Sequence, residues 1–174
     1  MRIRVAVIGG GSWGTTVAHL AAHQVPTVLW ARRPELADEI NSTHANPRYL
    51  PGLQLHPDLV ATADLAEAVH SADVIVMGVP SQGFRPALEA VAEHVRAWVP
   101  VLSLPKGLEQ GTQLRMTQVI NQTLPGHPAA VLTGPNLARE ILEGNAAAAV
   151  VATPDPVVAE YLQQIFHMNL FRVY

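Results

Sequence analysis

Between residues 3 and 20 the sequence spaces three glycines so that they can hold a phosphate. The apolar run Ile3-Arg4-Val5-Ala6-Val7-Ile8 breaks into Gly9-Gly10-Gly11-Ser12-Trp13-Gly14 and resumes as Thr15-Thr16-Val17-Ala18-His19-Leu20. In the pattern Gly9-x-Gly11-x-x-Gly14, Gly9 permits a sharp turn, Gly11 lets backbone approach a pyrophosphate, and Gly14 lets a helix lie close on a strand. A helix opening here aims its unpaired N–H groups and the positive end of its dipole at the anion. A β-branched run fit for a buried parallel strand stands directly before the glycines and a helical pattern directly after them, the context that gives the spacing its meaning. The chemistry is that of a dinucleotide site.

Two further stretches add charge to that site. Thr27-Val28-Leu29-Trp30 reads as a second buried strand, and it ends in Ala31-Arg32-Arg33. A site specific for NAD(H) places an acidic side chain there to accept from the ribose 2′-hydroxyl, whereas guanidinium groups suit a 2′-phosphate in both charge and geometry. Arg32 and Arg33 therefore favour NADP(H), with NAD(H) as a second cofactor; the alternative is that they are solvated residues ahead of a helix begun by Pro34. Val99 to Leu104 reads as a strand that delivers Pro105-Lys106-Gly107 to the carboxyl edge of the sheet, where ligands sit in open α/β folds. Lys106 is the only lysine of the chain. Its ammonium can hold a substrate oxygen or phosphate, or it is a surface lysine in a turn.

The elements that must position these groups alternate. A helix is expected over Trp13–His23, a short one over 34–41, and a turn-rich loop over Asn46-Pro47-Arg48-Tyr49-Leu50-Pro51-Gly52. A short strand near Leu59–Ala61 leads to Asp64-Leu65-Ala66-Glu67, which has the form of a capping box and starts a helix reaching His70. The run Asp73-Val74-Ile75-Val76-Met77-Gly78-Val79-Pro80-Ser81 reads as a central strand followed by an N-cap at Ser81. A helix over Phe84–Ala97 follows, with Ala87, Leu88, Val91, Ala92 and Val95 as its core face. Next come a helix over Leu114–Leu124, a strand over Ala130–Thr133 ending in Gly134-Pro135-Asn136-Leu137-Ala138, and a short helix from Arg139 to Leu142. A strand over Ala146–Ala152, a helix over Asp155–Phe166 and a strand over Leu170–Tyr174 complete the series. This alternation gives an α/β, doubly wound, mainly parallel Rossmann-type sheet of about eight strands in a single domain, 1–174.

Composition narrows the classes. The 174 residues are 49% hydrophobic and 14% charged, with net charge −3 and no cysteine. That balance fits a soluble globular core, gives no electrostatic reason for nucleic acid, and removes thiolate chemistry and disulfides. No signal peptide is expected, and the longest apolar run, Ala146 to Ala152, is too short to span a bilayer, so the expected location is the cytoplasm. His19 and His23 have the i, i+4 spacing of a metal pair but no third ligand near them in sequence, and no metal site is expected. A Walker loop, with a lysine followed by serine or threonine, is absent from the sequence.

Six motifs in order carry a resemblance: Gly9-Gly10-Gly11-Ser12-Trp13-Gly14-Thr15, Leu29-Trp30-Ala31-Arg32-Arg33, Asn46 to Gly52, Val79-Pro80-Ser81, Lys106-Gly107 and Gly134-Pro135-Asn136. Over its whole length the chain resembles the N-terminal domain of the NAD(P)-dependent glycerol-3-phosphate dehydrogenases. The resemblance implies hydride transfer between NAD(P)H and dihydroxyacetone phosphate, giving sn-glycerol 3-phosphate for phospholipid synthesis. It implies that Gly9, Gly11, Ser12, Trp13 and Gly14 form the cofactor loop, with Arg32 and Arg33 at the adenosine ribose and Tyr49 flanking them. Lys106 would lie between cofactor and substrate, Gly134 and Asn136 along the substrate, and Ala138 again near the cofactor. The family commonly has a small hydroxyl residue where Asn136 stands. It also has a second, helical domain with a catalytic lysine, so the resemblance implies that this chain holds cofactor with little turnover of its own. An apolar patch that the helical domain would cover makes a homo-oligomer an expectation. Two rival readings are a stand-alone NADP(H)-binding or redox-sensing module and another Rossmann reductase, acting on a keto acid, imine or sugar phosphate.

Overall fold

The computed structural model describes residues 3–174. Its elements run in the order β1 (Val5–Ile8), α1 (Ser12–Ala22), β2 (Thr27–Trp30), α2 (Pro34–Thr43), β3 (Val60–Thr62), α3 (Leu65–His70), β4 (Val74–Met77), a 3₁₀ turn (Ser81–Gly83), α4 (Phe84–Ala92), β5 (Val101–Ser103), α5 (Met116–Thr123), β6 (Ala129–Thr133), α6 (Ala138–Leu142), β7 (Ala147–Ala152), α7 (Pro156–Phe166) and β8 (Phe171–Val173). The strands form one eight-stranded sheet in the order β3-β2-β1-β4-β5-β6-β7-β8. From β3 to β6 every neighbour is parallel; β7 runs antiparallel to β6, and β8 parallel to β7.

Strand periodicity divides the core between two layers of helices. Val5 and Val7 of β1 and Val74 and Val76 of β4 join the apolar cluster that includes α1, α2 and α7. Their neighbours Ala6, Ile8, Ile75 and Met77 join the cluster on the other face, built with α4 and α5. All four residues of β1 and of β4 are buried, as a strand covered on both faces requires. β7 alternates instead, with Ala149 and Val151 buried and Ala148, Val150 and Ala152 exposed. No helix among the described residues is long and apolar enough to cross a membrane.

Four local expectations need correction. Ser81 caps no α-helix: it opens the 3₁₀ turn behind Pro80, its hydroxyl donates to Gln82 Oε1 at 3.0 Å, and α4 begins only at Phe84. That helix also ends at Ala92 and not at Ala97. Past it, Arg96 is drawn to the sheet, donating to the Ala72 carbonyl at 2.8 Å and to Asp73 Oδ1 at 2.6 Å, and Trp98 takes a positive φ of 66°. The capping box of α3 is half formed. Asp64 accepts from the Glu67 N–H, but the Glu67 carboxylate takes its bond from Thr62 Oγ1 at 2.6 Å, and that hydroxyl accepts from the Asp64 N–H. The start of α5 is later than expected as well, because Arg115 pairs across a β-bridge with Leu108.

The order of strands reverses between β1 and β4, and there backbone packs against backbone. Gly9 sits at φ +123°, and a Cβ on Gly14 would stand 2.0 Å from the Gly9 carbonyl oxygen. A Cβ on Gly11 would meet nothing within 4 Å. The two glycines of one motif therefore answer to different constraints, and unfolding in urea separates them. Gly14→Ala is expected to cost about 2 kcal/mol or more, because backbone must move, while Gly11→Ala costs less than about 1 kcal/mol, the difference between glycine and alanine at an N-cap.

Candidate dinucleotide site

The carboxyl ends of β1, β2, β4 and β5 open into a cleft of about 1200 Å³. Its floor is the glycine turn. α1 starts there with Gly11 as N-cap, no side-chain capping bond and no acidic residue in its first turn, so neither its cap nor its first turn neutralises that end of the helix dipole. Gly9, Gly11, Ser12 and Trp13 line the cleft; Gly14 does not, being buried against the Gly9 carbonyl behind it. The Trp13 indole is fixed edge-on to Phe171, with ring centroids 6.5 Å apart.

At one end of the cleft stand Arg32, Arg33 and Tyr49. Arg33 is the N-cap residue of α2, and Pro34 fixes the helix start behind it. Tyr49 arrives from the loop that follows α2, where Ser12 Oγ donates to its carbonyl at 3.4 Å. The Arg48 guanidinium lies 5.7 Å from the centre of the Tyr49 ring. Hydrogen bonding from Arg48, against some burial, and then the charges of Arg48 and Arg33 lower the Tyr49 phenol below its ordinary pKa. Among the described residues the ion pairs are Arg85–Glu109, Arg96–Asp73 and Arg139–Glu143, so Arg32, Arg33 and Arg48 have no carboxylate partner.

Lys106 and Asn136 stand across the cleft. Lys106 Nζ donates to the Gly134 carbonyl at 2.7 Å, tying the loop after β5 to the end of β6. Gly134 has no room for a side chain, since a Cβ would fall 2.7 Å from both the Ala148 carbonyl and Asn136 Nδ2. That Nδ2 is buried without a partner. Gly134 and Ala138 are not on the cleft wall; Ala138 begins α6 and its carbonyl lies 3.5 Å from Thr16 Oγ1.

Part of the wall had no assignment from sequence. Ala87, expected in the core face of α4, lines the cleft together with Pro86 and Ala90. Small residues at 86, 87 and 90 on one helical face, beside Gly78 and Gly83, were the available signal. Ser81 lines it too, and Gly107, at φ +146°, brings its backbone close enough that a Cβ would stand 3.3 Å from Ser81 Oγ.

Residues 4–159 match the family described as the NAD-dependent glycerol-3-phosphate dehydrogenase N-terminus. The chain belongs to that family. It is 55% identical over 174 residues to a glycerol-3-phosphate dehydrogenase [NAD(P)+] of Sphingopyxis alaskensis, covering 100% of this chain and 52% of that protein. It is 55% identical over 172 residues to the corresponding enzyme of Mycobacterium avium, with coverage of 98% and 50%. The chain thus spans about half the length of the relatives it matches. Among solved structures, the glycerol-3-phosphate dehydrogenase of Coxiella burnetii superposes with a TM-score of 0.93 at 29% identity, over 99% of this chain and 53% of that one.

Away from the cleft, the fold brings a third imidazole to the His19/His23 pair. His56 lies with its ring centroid 4.3 Å from that of His23 and 6.5 Å from that of His19. The His56 N–H donates to His19 Nδ1 at 2.9 Å, so the ring proton of neutral His19 sits on Nε2, 3.2 Å from His23 Nε2. A ligating Nε2 would have to give that proton up, and among the described residues no group of three His, Asp or Glu is arranged to hold a metal ion. Burial, then the charges of His23 and His56, push the His19 pKa down to about 4, and burial followed by His56 lowers that of His23.

The unfolded chain binds a proton at His19 near 6.5, and the folded chain refuses it down to about 4. This contribution to stability is complete above pH 6.5 and is lost progressively as pH falls through that window. Asp73, where Arg96 and the Arg4 N–H outweigh burial, and Glu109, paired with Arg85, add their own losses only below about 4.5. Urea midpoints at a series of pH values are expected to fall between 6.5 and 4.5, and to fall less in a His19→Gln chain.

Proposed function

We propose that the cleft binds NADP(H) in preference to NAD(H), and that the chain supplies the cofactor site and part of the substrate site of a glycerol-3-phosphate dehydrogenase. The observation that carries this reading is the pairing of an uncapped helix end behind an open glycine turn with cations that have no carboxylate partner at both ends of one cleft. The pyrophosphate takes the N–H groups at Gly11, Ser12 and Trp13 and the dipole of α1. Arg32 and Arg33 take the 2′-phosphate, and Tyr49 walls the adenosine. At the opposite end Lys106 and Asn136 face the substrate. The bound nicotinamide supplies or accepts the hydride that interconverts dihydroxyacetone phosphate and sn-glycerol 3-phosphate.

The chain's own groups orient that exchange. The Lys106 ammonium spends one N–H on the Gly134 carbonyl, which fixes its direction and leaves two donors for a substrate oxygen. Asn136 lines the same cleft, in the position that the family commonly gives to a hydroxyl, with its Nδ2 buried and unpartnered. Gly134 and Ala138 act from behind the wall, Gly134 by admitting Asn136 and Ala138 by opening α6 against α1.

Calorimetry tests each part. NADPH is expected to bind about tenfold more tightly than NADH, or about 1.4 kcal/mol, and Arg33→Ala to remove most of that difference; equal affinities in the parent chain would end the 2′-phosphate role. Gly11→Ala, which the fold tolerates, is expected to weaken both dinucleotides. Lys106→Met is expected to weaken dihydroxyacetone phosphate binding to the NADPH-loaded chain by at least about tenfold.

A further inference from the structure

The loop that brings Tyr49 to the cleft is built around a residue with no assigned role. Asn46 is completely buried, while Pro47, Arg48 and Tyr49 are exposed. Its Nδ2 donates twice, to the Gly10 carbonyl at 3.1 Å and to Thr15 Oγ1 at 2.9 Å, and Thr15 is itself fully buried. Its own carbonyl accepts from the N–H groups of Tyr49 at 3.2 Å and Leu50 at 2.8 Å. Its Oδ1 is buried with no partner. An acceptor left empty in the interior is unfavourable, so the amide is held for what Nδ2 does. Turned over, it would set Oδ1 against the Gly10 carbonyl oxygen.

The Gly10 carbonyl is an informative target. A peptide plane carries its C=O and the following N–H on opposite sides, so holding the Gly10 oxygen toward Asn46 turns the Gly11 N–H away from it. Glycines flank that peptide and offer little resistance to its rotation. We propose that Asn46 is a positioning residue of the dinucleotide site: through Gly10 it fixes the peptide that presents the Gly11 N–H, and through its backbone it seats Tyr49. This rests on the dinucleotide reading of the cleft. Asn46 touches neither cofactor nor substrate in this scheme; it sets the groups that do.

Asn46→Asp separates the two bonds. Thr15 can turn its hydroxyl to donate to a carboxylate, whereas the Gly10 carbonyl is left facing an oxygen. Only the protonated acid can donate to it, and burial raises the pKa of such a group. The measurement is the affinity of variant and parent chains for NADP+ and NAD+ at about pH 8 and about pH 5.5, taken as a ratio at each pH. The ratio cancels titration of the ligand and the contribution of the charged and titratable groups both chains share: His44, Arg48 and Tyr49 on the loop, Arg33 beside it, and His19 and His23 on α1. Expected is a loss of at least about tenfold at the higher pH, recovered largely at the lower one, with Asn46→Ala weak at both. Equal affinity of variant and parent at pH 8, or a loss that acidification does not relieve, overturns the proposal. If Asn46→Asp fails to fold, Asn46→Ala decides, unchanged affinity overturning the proposal and a loss of tenfold in both dinucleotides at an unchanged melting temperature sustaining it. A parent chain that binds neither dinucleotide overturns the functional reading itself, and the positioning role with it.

Discussion

Backbone packs directly against backbone where the Gly9 carbonyl, Gly14 and Gly78 meet at the crossing of β1, α1 and β4. A Cβ on Gly78 would lie 3.0 Å from the Gly14 Cα, and one on Gly9 would lie 2.9 Å from the Gly78 carbonyl carbon. Nothing larger than hydrogen fits at any of the three. Because α1 is held this near the sheet, its first turn opens at the strand ends, just where the sheet order reverses between the paired strands β1 and β4. The cleft is what remains when two neighbouring connections leave on opposite faces. Its volume follows from topology, and the glycines set how near the backbone N–H groups come to whatever fills it.

The distribution of charge follows the same geometry. Away from the cleft, three of the described arginines are paired, Arg85 with Glu109, Arg96 with Asp73 and Arg139 with Glu143, while Arg4, Arg115 and Arg172 are not. On its wall, Arg32, Arg33 and Lys106 share the cleft with a helix end that carries partial positive charge and has no acidic residue in its first turn, and Arg48 stands behind them over the Tyr49 ring. Like charges gathered in this way repel one another in the empty cleft, and a polyanion relieves that repulsion. Exposure of Arg32, Arg48 and Lys106 keeps the cost low, since water screens what the protein leaves unpaired.

Much of this was readable in the residues because the signals are local. Four buried residues in a row at β1 and at β4 identify strands covered on both faces, and Pro34 and Asp155 mark the starts of α2 and α7 where they were expected. What was not readable depends on partners far along the chain. The early end of α4 is set by Arg96 reaching Asp73, 23 residues back. The Glu67 carboxylate closes on Thr62 and not on its own helix cap, the Asp64 N–H being taken by the same Thr62 hydroxyl. On the cleft wall, Gly9, Gly11, Arg32, Arg33 and Lys106 announce themselves by type and spacing, and Tyr49 by the family resemblance. Asn46 does not, since an asparagine before a proline reads as a turn former, and its burial appears only when the loop folds back on the glycines. His56 joins His19 and His23 for the same reason: 37 residues separate it from His19, and only the fold brings their rings together.

One compositional fact gains a use from its place in the fold. The single lysine stands on the cleft wall, exposed, with ten arginines making up the rest of the basic residues. Apart from the chain's own α-amino group, every amine-directed reagent has one target, and that target is inside the site. Reductive methylation with isotopically labelled formaldehyde would place one methylated ammonium there, charge retained, whose chemical shift responds to the Gly134 carbonyl and to anything that displaces it. The molecule thereby carries its own spectroscopic reporter of cleft occupancy.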